Sequence, residues 1–182
     1  MLKGKYVGLR AIEESDLTQL LLWRNQPNYR RFFREYRELS QTNQKNWFDS
    51  KVLNDKSTEM FSIVDVNTGE LLGACGLCYI DWINRNADFS IYIGKDDLYI
   101  DEKYAIDAAQ VMMKYGFEEL NLHRLWSEIY SFDEAKKVMF DRLGFKLEGV
   151  HKETHWTEGK WCDSLFYGYV LNNIMLKNIC RI

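Results

Sequence analysis

Apolar residues recur at three- and four-residue spacing from Ala105 through Ala108, Ala109, Met112 and Met113 to Gly116, which predicts a helix with one narrow apolar face. Leu125 to Tyr130 then alternates apolar and polar positions, as a half-buried strand does. A second helix is predicted from Asp133 to Leu143, burying Ala135, Val138, Met139 and Leu143. Gly144 stops it and Leu143-Gly144-Phe145 opens a strand. Upstream, Tyr6 to Ala11 reads as a strand. A helix with cap candidates in Glu13-Glu14-Ser15-Asp16 carries Leu17, Leu20, Leu21 and Trp23 until Asn25-Gln26-Pro27 breaks it. Another helix begins near Ser40 or Thr42 and carries Trp47, Phe48 and Val52. Met60 to Val66 and Leu71 to Ile80 pair across the turn Asn67-Thr68-Gly69-Glu70, and Asp88 to Ile93 follows as a strand. Two last strands, near Val150 to Trp156 and Ser164 to Leu171, meet around Glu158-Gly159-Lys160. The order β-α-α-β-β-β-α-β-α-β-β predicts an α/β (α+β) fold, with a mixed, mostly antiparallel sheet and helices on both faces.

Composition narrows the class. A chain of 182 residues with a single proline and no Ser- or Gly-rich linker reads as one domain over 1–182. With 46% hydrophobic and 28% charged residues and no apolar run of membrane-spanning length, a soluble cytoplasmic protein is expected; Met1 to Val7 carries charge without an apolar signal segment. The net charge of -3 argues against a broad nucleic-acid surface. One local run, Tyr29-Arg30-Arg31-Phe32-Phe33-Arg34, is basic and aromatic; it suits a small anionic ligand or a solvated helix end. Cys75 and Cys78 form a lone CxxC within a strand, where i and i+3 point to opposite faces, so no metal is expected. Cys162 and Cys180 have no visible partner, and His123, His151 and His155 are too scattered for a ligand set.

Three further stretches carry a resemblance. Val7-Gly8-Leu9-Arg10-Ala11-Ile12 with Leu22-Trp23-Arg24-Asn25, then Asn121-Leu122-His123-Arg124-Leu125, and finally Arg142-Leu143-Gly144-Phe145 through Gly149-Val150 stand in the order and spacing of one family. The chain resembles the GNAT N-acetyltransferase superfamily, in the branch that includes ribosomal-protein alanine and spermidine acetyltransferases. That resemblance implies transfer of an acetyl group from acetyl-coenzyme A directly to an amine. The acceptor would be a small molecule, such as an amino sugar nucleotide, a polyamine or an amino acid, or a protein N-terminus. It also implies a homodimer as a common assembly, while charge and hydropathy leave neither nucleic acid nor membrane as an expected partner.

The resemblance assigns roles to residues. Backbone groups of Ile91, Tyr92 and Ile93 would receive the thioester and pantetheine, and Asp88 or Asp81 would take the amine's proton. The usual tyrosine acid falls on Phe140, whose ring has no proton to give, leaving Ser164, Tyr167 or solvent. Lys103, Tyr104, Ala105 and Asp133 fall at the coenzyme side. Trp23, Arg24, Tyr29, Trp82 and Trp156 would line the acceptor cleft, with Arg24, Arg30 or Arg31 meeting a substrate phosphate.

The phosphate loop departs from the family pattern. Ile100-Asp101-Glu102-Lys103 stands where glycines would let backbone amides and a helix N-terminus receive a pyrophosphate. Asp133 replaces an asparagine that contacts the coenzyme. Beside the enzyme reading stands a second: a GNAT-fold binding or assembly module with little or no coenzyme binding.

Overall fold

The computed structural model describes residues 1–171. Eight strands form one sheet: β1 (Leu2–Lys3), β2 (Val7–Ala11), β3 (Glu59–Asp65), β4 (Leu71–Asp81), β5 (Asn86–Ile93), β6 (Arg124–Tyr130), β7 (Lys146–Thr157) and β8 (Lys160–Val170). Their order is β1-β2-β3-β4-β5-β6-β8-β7, and β5 with β6 is the parallel pair among antiparallel neighbours. Five helices accompany it: α1 (Leu17–Asn25), α2 (Pro27–Arg30), α3 (Gln41–Trp47), α4 (Tyr104–Lys114) and α5 (Glu134–Leu143). The mixed, mostly antiparallel sheet is the one the sequence order predicts. The two-residue β1 and the single turn of α2, which has Pro27 at its first position, are additions.

Each face of the sheet has its own apolar layer. Ala105, Ala108 and Met112 of α4 lie fully buried with Leu9, Leu77, Ile91 and Ile93. On the other side Leu17, Leu20 and Trp23 pack with Tyr29, Phe48, Ala74 and Tyr92. Asp107 locks α4 to the start of β2, because its carboxylate accepts the amides of Lys5 (3.0 Å), Tyr6 (2.6 Å) and Val7 (2.9 Å). Ser40 begins α3 as a capping box with Asn43.

Helix α5 is rotated from the expected face. Its buried residues are Lys136, Met139 and Phe140, while Ala135 is exposed and Val138 is 52% exposed. The aromatic cluster of Phe140 with Phe89, Phe145 and Tyr167 sets this rotation. The apolar pattern alone passed over Lys136. Cys75 is buried and Cys78 sits beside the Met60 sulfur, both as free thiols, and Cys162 is also free; Cys180 lies outside the described residues.

One irregularity organises the molecule. β5 pairs with β4 from Asn86 to Ile93, with a register shift between Cys78 and Asp81, yet it pairs with β6 only over Asn86 to Asp88. Beyond Asp88 the two parallel strands part.

Candidate active site

Strand alternation gives β5 two different surfaces. Phe89, Ile91 and Ile93 join the core under α4 and α5, whereas Asp88, Ser90 and Tyr92 face a cavity of about 500 Å³ against α1 and α3. The Gly94 amide bonds Leu72 of β4 while the Ile93 amide points the other way, to Tyr99 (2.7 Å). By the same alternation Phe89 and Ile91 face β6: the Phe89 amide makes the last bond of the ladder, at the Asp88–Trp126 pair, and the Phe89 carbonyl with both Ile91 groups turns toward the gap. The gap joins the two faces of the sheet: Lys136 belongs to α5, yet it reaches the cavity on the α1 and α3 side.

Asp88 stands at the fork. It is 5% exposed, and its Oδ2 accepts from Arg34 Nη1 at 2.8 Å. Burial raises its carboxyl from 3.8 to about 6, against the opposing pull of Arg34 and then Lys136. Arg34 also donates through Nε to Glu128 at 3.0 Å. Burial draws the Arg34 value down, but Asp88 and Glu128 outweigh it and hold it above normal. Lys136 is lowered from its ordinary 10.5 because it is desolvated, with Asp133 and Asp88 partly restoring its charge.

The remaining expected residues separate by position. Arg24 lines the cavity, its guanidinium carbon 4.8 Å from the Phe33 ring centre. Asp81 does not line it; the carboxylate closes its own turn, accepting from Ile83 N, Asn84 N and Asn84 Nδ2, and the Asn84 bonds hold its value down. Ser164 is buried beside Thr154 (2.8 Å) on β8, and Tyr167 packs on Phe140. Trp23 lies buried against Gly94, and the Tyr29 hydroxyl donates to the Ile93 carbonyl at 2.9 Å. Trp82 is half exposed, its indole bonded to the Lys56 carbonyl. Trp156 borders a separate cavity of about 220 Å³ with Arg30, Arg31 and His155.

The start of α4 is closed by the chain itself. Asp101 accepts the amides of Lys103 (3.1 Å), Tyr104 (2.9 Å) and Ala105 (2.7 Å). Lys103 turns back to the Tyr104 hydroxyl at 3.1 Å. Tyr99 lies across the far end of the gap. Its carbonyl accepts from Ile93, and its hydroxyl donates to Asp133 at 2.6 Å. Asp133 in turn caps α5 through the Lys136 amide (3.1 Å). Asp96, Asp97 and Tyr99 in this segment have φ of 52°, 56° and 50°, left-handed values for non-glycine residues.

A sheet whose central parallel pair parts over a cavity has a counterpart in sequence. A family model described as an acetyltransferase (GNAT) domain matches residues 7–146. The chain belongs to the GNAT acetyltransferase family. Among its relatives, a spermidine N(1)-acetyltransferase from Escherichia coli K12 is 28% identical over 159 residues, covering 87% of this chain and 83% of that one. An uncharacterized N-acetyltransferase p20 from Bacillus licheniformis is 28% identical over 117 residues, 62% of this chain and 65% of its own length. The fold is shared with the crystal structure of spermidine N-acetyltransferase from Vibrio cholerae in complex with CoA and spermine. The TM-score is 0.82 at 23% identity, covering 91% of this chain and 95% of that one.

As a GNAT protein, the chain presents two unlike surfaces beside the gap. The gap beside Phe89 and Ile91 suits an extended acyl arm, and the Ile93 backbone groups are already taken by Tyr99 and Tyr29. The α4 amides suit an anion, but Asp101 already supplies one. Sequence reasoning missed Arg34, Glu128 and Lys136. The basic aromatic run ending at Arg34 pointed toward the first. No local signal marks Lys136, because a lysine in an apolar helix face reads as solvent-facing.

Proposed function

We propose that this protein transfers an acetyl group from acetyl-coenzyme A to a primary amine of a small molecule bound in the 500 Å³ cavity. The observation that carries this reading is Asp88, a buried carboxyl raised to about 6 at the point where β5 and β6 part. At neutral pH such a group is ionised and basic enough to take the ammonium proton, directly or through one water. The freed amine then has the gap in front of it, where acetyl-coenzyme A supplies the activated acyl carbon. The Ile91 amide faces that gap and offers the carbonyl oxygen a donor as negative charge develops. Lys136, one helical turn before Phe140 on the same face, gives the departing sulfur a proton, and the proton lost from the attacked nitrogen as the adduct collapses restores it through solvent. Overall the ammonium loses two protons, one through Asp88 to solvent and one that balances the proton given to sulfur; it gains the acetyl group, and the coenzyme leaves as its thiol.

The relatives named as spermidine acetyltransferases support an amine as the acceptor class. A second reading, a binding module with weak coenzyme affinity, has one observation in its favour: Asp101 on the α4 amides. Calorimetric titration with acetyl-coenzyme A separates the two. Binding, followed by thiol release with an amine panel and its loss in Asp88→Asn, supports transfer. No heat at millimolar coenzyme sinks it.

A further inference from the structure

We propose that the acceptor is an amine that also carries a carboxylate or phosphate, and that Arg24 holds this anionic group while Asp88 meets the amine. The inference rests on the acetyl-transfer reading and names its substrate class. It departs from the polyamine substrate that the relatives' names would suggest.

The charges on the cavity wall carry it. The lining carboxylates are Glu35, Asp88 and Glu128, and each is already committed. Asp88 and Glu128 share Arg34, at 2.8 and 3.0 Å. Glu35 takes two bonds from the Arg37 guanidinium (2.6 and 2.8 Å) and one from its amide. Lys51, also on the wall, turns to Asp55 at 2.9 Å. Two wall cations make no hydrogen-bonded pair among the described residues: Arg24, whose charge acts on Glu35 from a distance, and Lys136, whose charge acts on Asp88.

Arg24 is the better placed of the two for an anion. Its Nε is buried with no hydrogen-bond partner among the described residues. Its guanidinium is held against Phe33, which fixes the plane, and the residue borders the cavity. A planar fork of this kind matches carboxylate or phosphate oxygens in pairs. A polyamine would instead bring several positive charges to a wall with more cations than anions, a repulsive arrangement in a partly desolvated site.

Matched amine pairs test this: ethanolamine with phosphoethanolamine, 1,4-diaminobutane with 4-aminobutyrate, glucosamine with glucosamine 6-phosphate, and spermidine alone. Affinity is measured by calorimetry without acetyl-coenzyme A, and kcat/KM by thiol release with it. The anionic members are expected to be preferred at least tenfold. Arg24→Gln should erase that preference by lowering affinity and kcat/KM for the anionic members, and Arg24→Lys should restore part of it; melting curves confirm that both variants fold. Spermidine as the best acceptor, equal use of both members, or a preference that survives Arg24→Gln overturns the proposal, as does failure of every member to bind or react. If anionic amines bind through Arg24 but none is acetylated, the transfer reading falls and the anion site stands. Acetylation without anion preference removes the anion site and leaves acetyl transfer standing.

Discussion

The Asp101 carboxylate lies 2.7 Å from the Ala105 amide and seals the first turn of α4 with the negative charge that a bound phosphate would otherwise bring. A helix start offers its free amides to one anion at a time. Any coenzyme pyrophosphate that uses this helix must first displace Asp101, and it then has the carboxylate as a like-charged neighbour.

Asp101→Asn is therefore expected to tighten acetyl-coenzyme A about tenfold, since the competing charge is gone while a weaker cap remains. Calorimetry gives the affinity, and a thermal melt should show a small loss of stability in the free protein. Unchanged affinity would mean that the phosphates bind elsewhere.

Asp88 links activity to pH and to stability. The rate should rise with pH through about 6 as the carboxyl ionises. Asp88→Asn should cost on the order of 100-fold or more in kcat. The stability effect has the opposite sign. The folded protein binds this proton more tightly than the unfolded chain does, so its contribution is complete below about pH 4 and is lost as pH rises through about 6. The rise from 3.8 to about 6 corresponds to roughly 3 kcal/mol at most. Asp88→Asn should thus melt above the wild type at pH 8, with the advantage disappearing near pH 4.

Arg34 restrains Asp88, because its charge is the first of the effects opposing burial. In Arg34→Gln the carboxyl should climb further and the acid limb of the rate profile should move up by about one pH unit. An unmoved limb would show that another group sets it.

Lys136 gives the alkaline side of the same profile. Its ammonium is lowered from 10.5, chiefly by desolvation, so kcat should fall with rising pH before an exposed lysine would titrate. Lys136→Met should remove that alkaline limb, lower kcat on the order of 100-fold, and raise the melting temperature by removing a buried charge. Retention of full kcat would leave sulfur protonation to water.

The sequence made the scaffold legible where a pattern is local. The small-residue stripe of α4, the Asn67 to Glu70 turn and the stop at Gly144, whose φ is 86°, all follow from neighbours in the chain. Asp88 was singled out through family position, and the structure places it on the cavity wall where β5 and β6 part. The ion pair that defines its chemistry was not, since Arg34 lies 54 residues away. Asp101 stands in the sequence only as part of a loop that lacks the family's glycines, although an aspartate three residues before Tyr104 also has the spacing of a helix cap. Asp81 and Trp82 illustrate the converse. Their neighbourhood suggested a site, and local turn bonds and the Lys56 carbonyl account for them.

The parting of β5 from β6 also gives the molecule an internal isotopic gauge. Amides shared between paired strands, the Phe89 amide among them, exchange with deuterated water only when the sheet opens, whereas Ile91 directs its amide into the gap. A coenzyme arm seated there shields it, and an acceptor confined to the cavity behind leaves it as it was. One backbone position thus records, with each reactant added alone, which of them reaches the gap.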